Sequence, residues 1–202
     1  MMVTTHALVG LFVALPVAIL VPEHGPTALA AGALGGIVPD LDVFAEHRRT
    51  LHQPVYGFAA AAGALAVAVV APTALTLGLF AFLLTAALHC VGDVVSCGLG
   101  ARPWDNPPSD RAVYDHVRGT WVPPRRWIPY DGSPADLGFA AVISLPLVVV
   151  LDGVWKLLIV GLLAVSIGYT VSRKRLEDVA TWGARLLPSR FRRYVPERYL
   201  VS

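Results

Sequence analysis

The chain has 202 residues, of which 55% are hydrophobic and 15% charged, with a net charge of +2 and a mean hydropathy of +0.62. Water-soluble domains carry about 25% charged residues, so the composition excludes an ordinary soluble enzyme and places the chain in the membrane class. Two cysteines, Cys90 and Cys97, exclude a disulfide framework; Cys90, within an apolar run, reads as a small buried side chain.

Six apolar segments follow one another, at about 7–21, 26–38, 54–71, 74–92, 136–151 and 154–171. A spanning helix needs about 20 residues, with a range near 17–25. Segments three, four and six meet that length or nearly so; one, two and five are short. The first has no Lys or Arg before it, unlike a cleaved signal peptide, and is expected to stay as a helix. The second, PTALAAGALGGIV, is rich in Gly and Ala, which lets helices approach closely in a membrane. Short Pro- or Gly-marked turns join the pairs at Pro22–Gly25, Pro72 and Asp152–Gly153. Pro39 is expected to hold Val38 extended and end the second segment. The predicted fold is therefore an all-α, polytopic membrane helix bundle of about six apolar helices, or four to five if the short ones do not cross. It comprises one membrane domain over residues 1–171, including an interfacial loop at 93–135, followed by a basic tail at 172–202. Within the tail, Leu176, Val179, Gly183 and Leu187 fall near one helical face, as in an amphipathic helix lying among headgroups.

Charge tests the topology. With six spans, the N-terminus, the loops 39–53 and 93–135 and the tail share one side, which then holds all 16 Lys and Arg except Lys156. Positive charge marks the cytoplasmic side, so the expected location is a cell membrane with both termini cytoplasmic. The Arg-rich stretches carry no nucleic-acid-binding motif and read as membrane-proximal, with lipid the expected partner. Trp104, Trp121, Trp127, Tyr114 and Tyr130 stand among Arg111, Arg118, Arg125 and Arg126 in the long loop. Trp and Tyr favour the membrane interface, so this loop is expected to lie on the headgroups and cover the site, the alternative being recognition of a phosphate-bearing lipid by Arg111, Arg118, Arg125 or Arg126.

The same side collects the residues with chemistry. His6 precedes segment one, Asp40 and Asp42 follow segment two, His47 and His52 precede segment three, and His89 and Asp93 end segment four. His89 and Asp93 are four apart and share a helical face, where an imidazole and a carboxylate can bind one cation. Ionisable groups at the end of an apolar span read as functional. Asp40 is favoured as a further ligand; Asp42 is balanced between ligand and helix cap. His47 and His52, five apart, need a loop or helix break to turn inward together. Arg48 would then lie close enough to neutralise a phosphate, while Arg49 only holds the loop inside. His24 falls on the opposite side, and His116, in YDH of the long loop, has no assigned role.

These residues stand in TTHALVG, GGIVPDLDV, HRRTLH and HCVGD, in that order. The series resembles the YdjM-like family of membrane-bound metal-dependent hydrolases, whose pattern runs TH, PDxD, HRxxTHS and HxxxD. It covers about residues 4–98. Leu51 and Gln53 depart from it where the family has Thr and Ser. The order is more distantly similar to zinc-dependent phospholipase C and P1-type nucleases. That analogy implies His6, Asp40, His52, His89 and Asp93 as metal ligands. The later His-x-x-x-Glu of those enzymes is absent, so one or two divalent ions, with Zn expected, are implied rather than three. The function expected is a phosphoester hydrolase, with Asp42, His47 and Arg48 assisting, and a phospholipid headgroup as one candidate substrate. The alternative is a non-catalytic binding, scaffold or transport protein with a structural metal or an ion-pair cluster.

Overall fold

The structure is a computed structural model that describes residues 1–100, 102–104, 109–192 and 194–195. Arg193 and Arg198, part of the basic tail, lie outside the described residues. The helices are α1 (Val3–Leu20), α2 (Gly25–Ile37), α3 (Pro54–Val70), α4 (Ala74–Val95), α5 (Pro134–Val150), α6 (Val154–Leu186) and the single turn α7 (Ser189–Arg192). A two-stranded hairpin, β1 (Val113–Asp115) and β2 (Thr120–Val122), lies between α4 and α5. The fold is all-α with almost no sheet. Four segments are long and apolar enough to cross a membrane: α1, Pro22–Phe44 (which includes α2), α4 and α6; α3 and α5, at 17 residues each, are shorter.

Local sequence sets the boundaries. Thr73 caps α4, its hydroxyl accepting from Thr76 N–H while the Thr76 hydroxyl accepts from Thr73 N–H, a reciprocal box that satisfies two otherwise unpaired donors. Ser133 caps α5 by a single bond, its hydroxyl accepting from Asp136 N–H at 3.2 Å, with Pro134 in the first turn, where its missing N–H costs nothing. The junction after α2 differs from expectation. Val38 is helical (φ −56°, ψ −39°) rather than extended, and the chain tightens into a 3₁₀ helix over Val38–Phe44. Pro39 stands in the first turn of that helix, where no N–H is required of it.

Small residues bring the first four helices together. A Cβ on Gly10 would collide with the Gly32 carbonyl, one on Gly35 with the Phe82 carbonyl, and one on Gly36 with the His6 carbonyl. The backbones of α1, α2 and α4 therefore touch, and the last two contacts lie beside the residues of the site. The core is aliphatic, built from Leu8, Leu11, Leu15, Leu29, Leu147 and Ile159 with alanines between them. The periphery is equally apolar: Val70, Leu75, Val149, Val154 and Leu157 are each more than 70% exposed. Water would penalise that surface, whereas lipid would not.

The sixth apolar segment and the start of the tail are one element. α6 has 33 residues, about 50 Å at 1.5 Å per residue, against a hydrocarbon thickness of about 30 Å. Where it outruns that thickness, Arg173 anchors it. The guanidinium bonds both oxygens of Asp131 (2.9 and 3.1 Å) and reaches Glu177 at 3.0 Å. Tyr169 O–H also donates to Asp131, at 2.6 Å.

Gly10→Val is expected to lower stability by about 1–3 kcal/mol through overpacking. Gly63 has open space around its Cβ position, so Gly63→Ala is expected to be neutral or to stabilise α3 by up to about 1 kcal/mol. Thermal unfolding of the two variants in one detergent compares them directly.

Candidate metal centre

Asp40, His52, His89 and Asp93 come together at one end of the bundle, each offering one ligand atom, with all four atoms within 4.8 Å of one another. Three separate parts of the chain supply them: the 3₁₀ turn after α2, the loop before α3 and the last turns of α4. The cluster can bind a metal ion. His52, His89 and Asp93 are almost wholly buried; Asp40 is partly open.

The imidazoles are oriented from behind. His89 Nδ1–H donates to the Gly36 carbonyl at 2.8 Å, and His52 Nδ1–H to Asp42 Oδ2 at 2.8 Å. Carbonyls and carboxylates behind metal-ligating histidines fix the tautomer in this way. With Nδ1 directed backward, both rings turn Nε2 into the cluster, where a neutral ring offers a lone pair to a cation and a protonated one an N–H to a carboxylate. His89 Nε2 lies 3.4 Å from Asp40 Oδ1 and 3.5 Å from Asp93 Oδ2, and His52 Nε2 lies 3.2 Å from Asp93 Oδ2. Lone pairs facing carboxylates repel unless a proton or a cation stands between them. His89 Nε2 and His6 Nε2 are both buried without a hydrogen-bond partner, at a position where such an orphan is costly. The three Nε2–carboxylate separations are near those of a coordination shell, since bonds of about 2.0–2.1 Å arranged tetrahedrally put ligand atoms about 3.3–3.4 Å apart, while the four atoms together spread over up to 4.8 Å. The residues present fit a divalent ion.

His6 lies against this group. Its ring stacks on His89 with centroids 3.7 Å apart and an interplanar angle of 21°, and its Nε2 is 3.5 Å from Asp93 Oδ1. It is close to Asp93 but outside the compact set of four. Burial opposes positive charge on His52, but its hydrogen bonds with Asp42 and Asp93 outweigh that and hold its pKa above the usual imidazole value.

Asp42 is not one of the four. Both its oxygens are engaged, Oδ1 by His47 Nδ1 (2.8 Å) and Arg48 N–H (3.2 Å), Oδ2 by His52 Nδ1 and Leu51 N–H (3.2 Å). One buried carboxylate thus folds the loop 47–52 around itself and aims two histidines. Arg48 adopts a left-handed φ of 62°, uncommon for a residue with a Cβ. That turn carries its guanidinium inward, where Nη1–H donates to the Cys97 carbonyl at 2.8 Å and Nε lies 3.3 Å from Asp93 Oδ2. Burial disfavours the charge on Arg48, and Asp93 together with the neighbouring Cys97 and the more distant Asp40 and Asp131 more than offsets it, so its pKa is raised. Met1 N also donates to Asp93 Oδ1, at 3.2 Å.

The β-hairpin has a role the residue pattern did not assign. Tyr114 N–H donates to the Arg48 carbonyl at 3.0 Å, the Arg49 guanidinium stacks on the Tyr114 ring at 4.4 Å, and His116 Nε2 contacts the carbonyls of Arg49 (2.8 Å) and His52 (3.2 Å). The hairpin therefore buttresses the ligand loop. Its signal was present in VYDHVRGTWV, two short β-rich runs around a Gly; Gly119 takes the positive φ of 67° that the turn requires. A second buried carboxylate, Asp136, was also missed. It accepts from Met2 N–H (2.7 Å), Thr5 O–H (2.8 Å) and Gly132 N–H (3.1 Å), tying the start of α5 to the first turn of α1, from which His6 projects. Cys90 is buried and stands outside the cluster.

Comparison of the chain with family models, curated proteins and solved structures finds no match.

His89→Ala is expected to abolish tight metal binding, whereas Asp42→Asn is expected to retain it with affinity lowered about 10- to 100-fold. Chelator competition on the purified protein reads both.

Proposed function

We propose that the protein is a membrane-bound metal-dependent hydrolase acting on a phosphoester. One observation carries the reading: in a chain with few charges, three loops and helix ends converge buried imidazole lone pairs and carboxylates on one point. The His/Asp donor set suits Zn²⁺, held by Asp40, His52, His89 and Asp93 as one ion, with His6 beside them for a second. Such an ion acts as a Lewis acid and lowers the pKa of bound water to about 7.

The chain's own residues supply the remainder. Asp42 holds His52 for the ion and His47 toward the cavity that the latter lines. His47 is thus placed to move a proton on or off a substrate oxygen. Arg48, beside Asp93 and also lining the cavity, is placed to bind the phosphate and offset charge that builds in the transition state. The resemblance to the YdjM-like family supports the same reading, through His6, Asp40, Asp42, His47, Arg48, His52, His89 and Asp93. The arginine distribution supports a cytoplasmic site in a cell membrane.

Transport is less well supported. The mid-bundle hydroxyls of Thr85, Ser144 and Ser166 each donate to the carbonyl four residues earlier, and Lys156 pairs with Asp152 at the far end of α6. They leave no polar route across the bundle among the described residues. A structural ion-pair cluster draws on the contacts of Arg48 with Asp93, and experiment separates it from catalysis.

Protein purified without chelator is expected to contain one or two equivalents of divalent metal and to hydrolyse a phosphodiester or phosphomonoester. Chelation or Asp93→Asn is expected to lower the rate at least 100-fold. Bound metal with no turnover on either substrate class would favour the scaffold; absence of metal would remove both metal readings.

A further inference from the structure

The cluster opens into a cavity of about 1030 Å³, at the upper end of the usual range for small-molecule sites, about 300–1,000 Å³. Asp40, His47 and Arg48 form its inner wall. The charges around it are unequally satisfied. Glu46 is engaged by Arg49 at 2.7 Å, and Asp131 by Arg173 and Tyr169. Arg111 makes no ion pair among the described residues; its guanidinium rests beside the Trp121 ring at 5.8 Å. Arg111, an exposed residue, and Trp121 both line the cavity, which therefore offers a cation with no ion-pair partner among the described residues.

A further part of the lining comes from α1 and α6: Val3 and Thr4 of the first and Val165 and Tyr169 of the second. The Thr4 and Ser166 hydroxyl oxygens lie 2.7 Å apart, within hydrogen-bond reach. Val165 lies eight residues before Arg173, about 12 Å along the helix toward the membrane interior. Arg173, with its carboxylate partners, marks the polar level. Val3 and Val165 are 45% and 60% exposed, on a periphery that faces lipid. The cavity thus reaches from Asp40, His47 and Arg48 to exposed valines at the edge between α1 and α6.

We propose that the cavity takes a phosphate-bearing lipid sideways from the bilayer, the phosphate beside Arg111 and the metal cluster and the acyl chain leaving between α1 and α6 at Val3 and Val165. This rests on the hydrolase reading and narrows its substrate from phosphoesters in general to amphiphilic ones. A lipid matches both ends of the cavity: Arg111 and Arg48 complement an anionic headgroup, and the acyl chain passes from bilayer to Val3 and Val165 without exposure to water. A soluble phosphoester matches only the inner end.

The test is binding rather than turnover. The full chain, loaded with metal, is placed in phosphatidylcholine nanodiscs containing a non-hydrolysable phosphonate analogue of phosphatidate with a diazirine in its acyl chain. After irradiation the labelled residues are mapped by mass spectrometry. The expected result is labelling of Val3, Thr4, Val165 and Tyr169 at least fivefold above that of Val70 and Val149, which face lipid elsewhere. Arg111→Ala is expected to lower the cavity labelling at least threefold without changing Val70 or Val149. Val165→Trp, which fills the mouth, is expected to lower labelling of Thr4 and Tyr169. Glycerol phosphate in excess is expected not to displace the label, while unlabelled phosphatidate phosphonate should. Cavity labelling equal to that at Val70 and Val149, or full displacement by glycerol phosphate, would overturn lateral lipid entry. Cavity labelling in a protein that turns over no phosphoester would refute the hydrolase reading alone. Turnover of soluble phosphoesters without cavity labelling would refute the lipid alone.

Discussion

Asp93 is the constraint on which the structure turns. It is a carboxylate at the end of an apolar helix, buried from solvent, with His6, Arg48, His52 and His89 all within 3.5 Å. An ionised group in that position carries an effective desolvation penalty of several kcal/mol unless opposite charge and hydrogen bonds offset it. The partners come from α1 (His6), the loop 47–52 (Arg48 and His52) and α4 itself (His89), so satisfying Asp93 fixes how these three segments meet. The glycines of α1 and α2 make that meeting sterically feasible, since any Cβ on Gly36 would drive α1 away from the site. Helix packing and site assembly are thus one requirement.

Around that centre the polar groups are arranged in layers. Gly36 and Asp42 stand behind the imidazoles. The hairpin stands behind Asp42's loop through Tyr114 and His116. Asp136 ties the start of α1 to α5. Each layer removes a rotational freedom from the one inside it, the condition for holding ligand atoms within a few tenths of an ångström of a productive arrangement. The apolar exterior and the polar inner end of the cavity are then compatible with one molecule: lipid solvates the first, and the second is enclosed by protein.

The sequence disclosed some of this and concealed the rest for physical reasons. Convergence of Asp40, His52, His89 and Asp93 followed from drawing the spans, because topology alone puts the ends of alternate helices on one side. The pairing of His89 with Asp93 followed from helical periodicity. Asp40 was legible as a ligand, but the role of Asp42 did not follow: two carboxylates two residues apart differ only through the 3₁₀ turn that carries them, and that turn depends on Val38 staying helical before Pro39. Nor did the union of the sixth apolar segment with the tail, since the change from apolar to charged residues near 172 resembles a helix end when it is only a change of solvent. The hairpin was obscured because three-residue strands leave little periodicity. Leu51 and Gln53, where the YdjM-like pattern has hydroxyl residues, fall outside the ligand cluster, although Leu51 N–H does serve Asp42.

The central claim is that the buried imidazoles and carboxylates surround a divalent cation. X-ray absorption at the metal edge, on protein purified without chelator, tests it most directly. The account predicts a first shell of nitrogen and oxygen at about 2.0–2.1 Å, with the outer-shell scattering of at least two imidazoles that His89→Ala reduces. A sulfur shell at about 2.3 Å, or no bound metal at all, would contradict it.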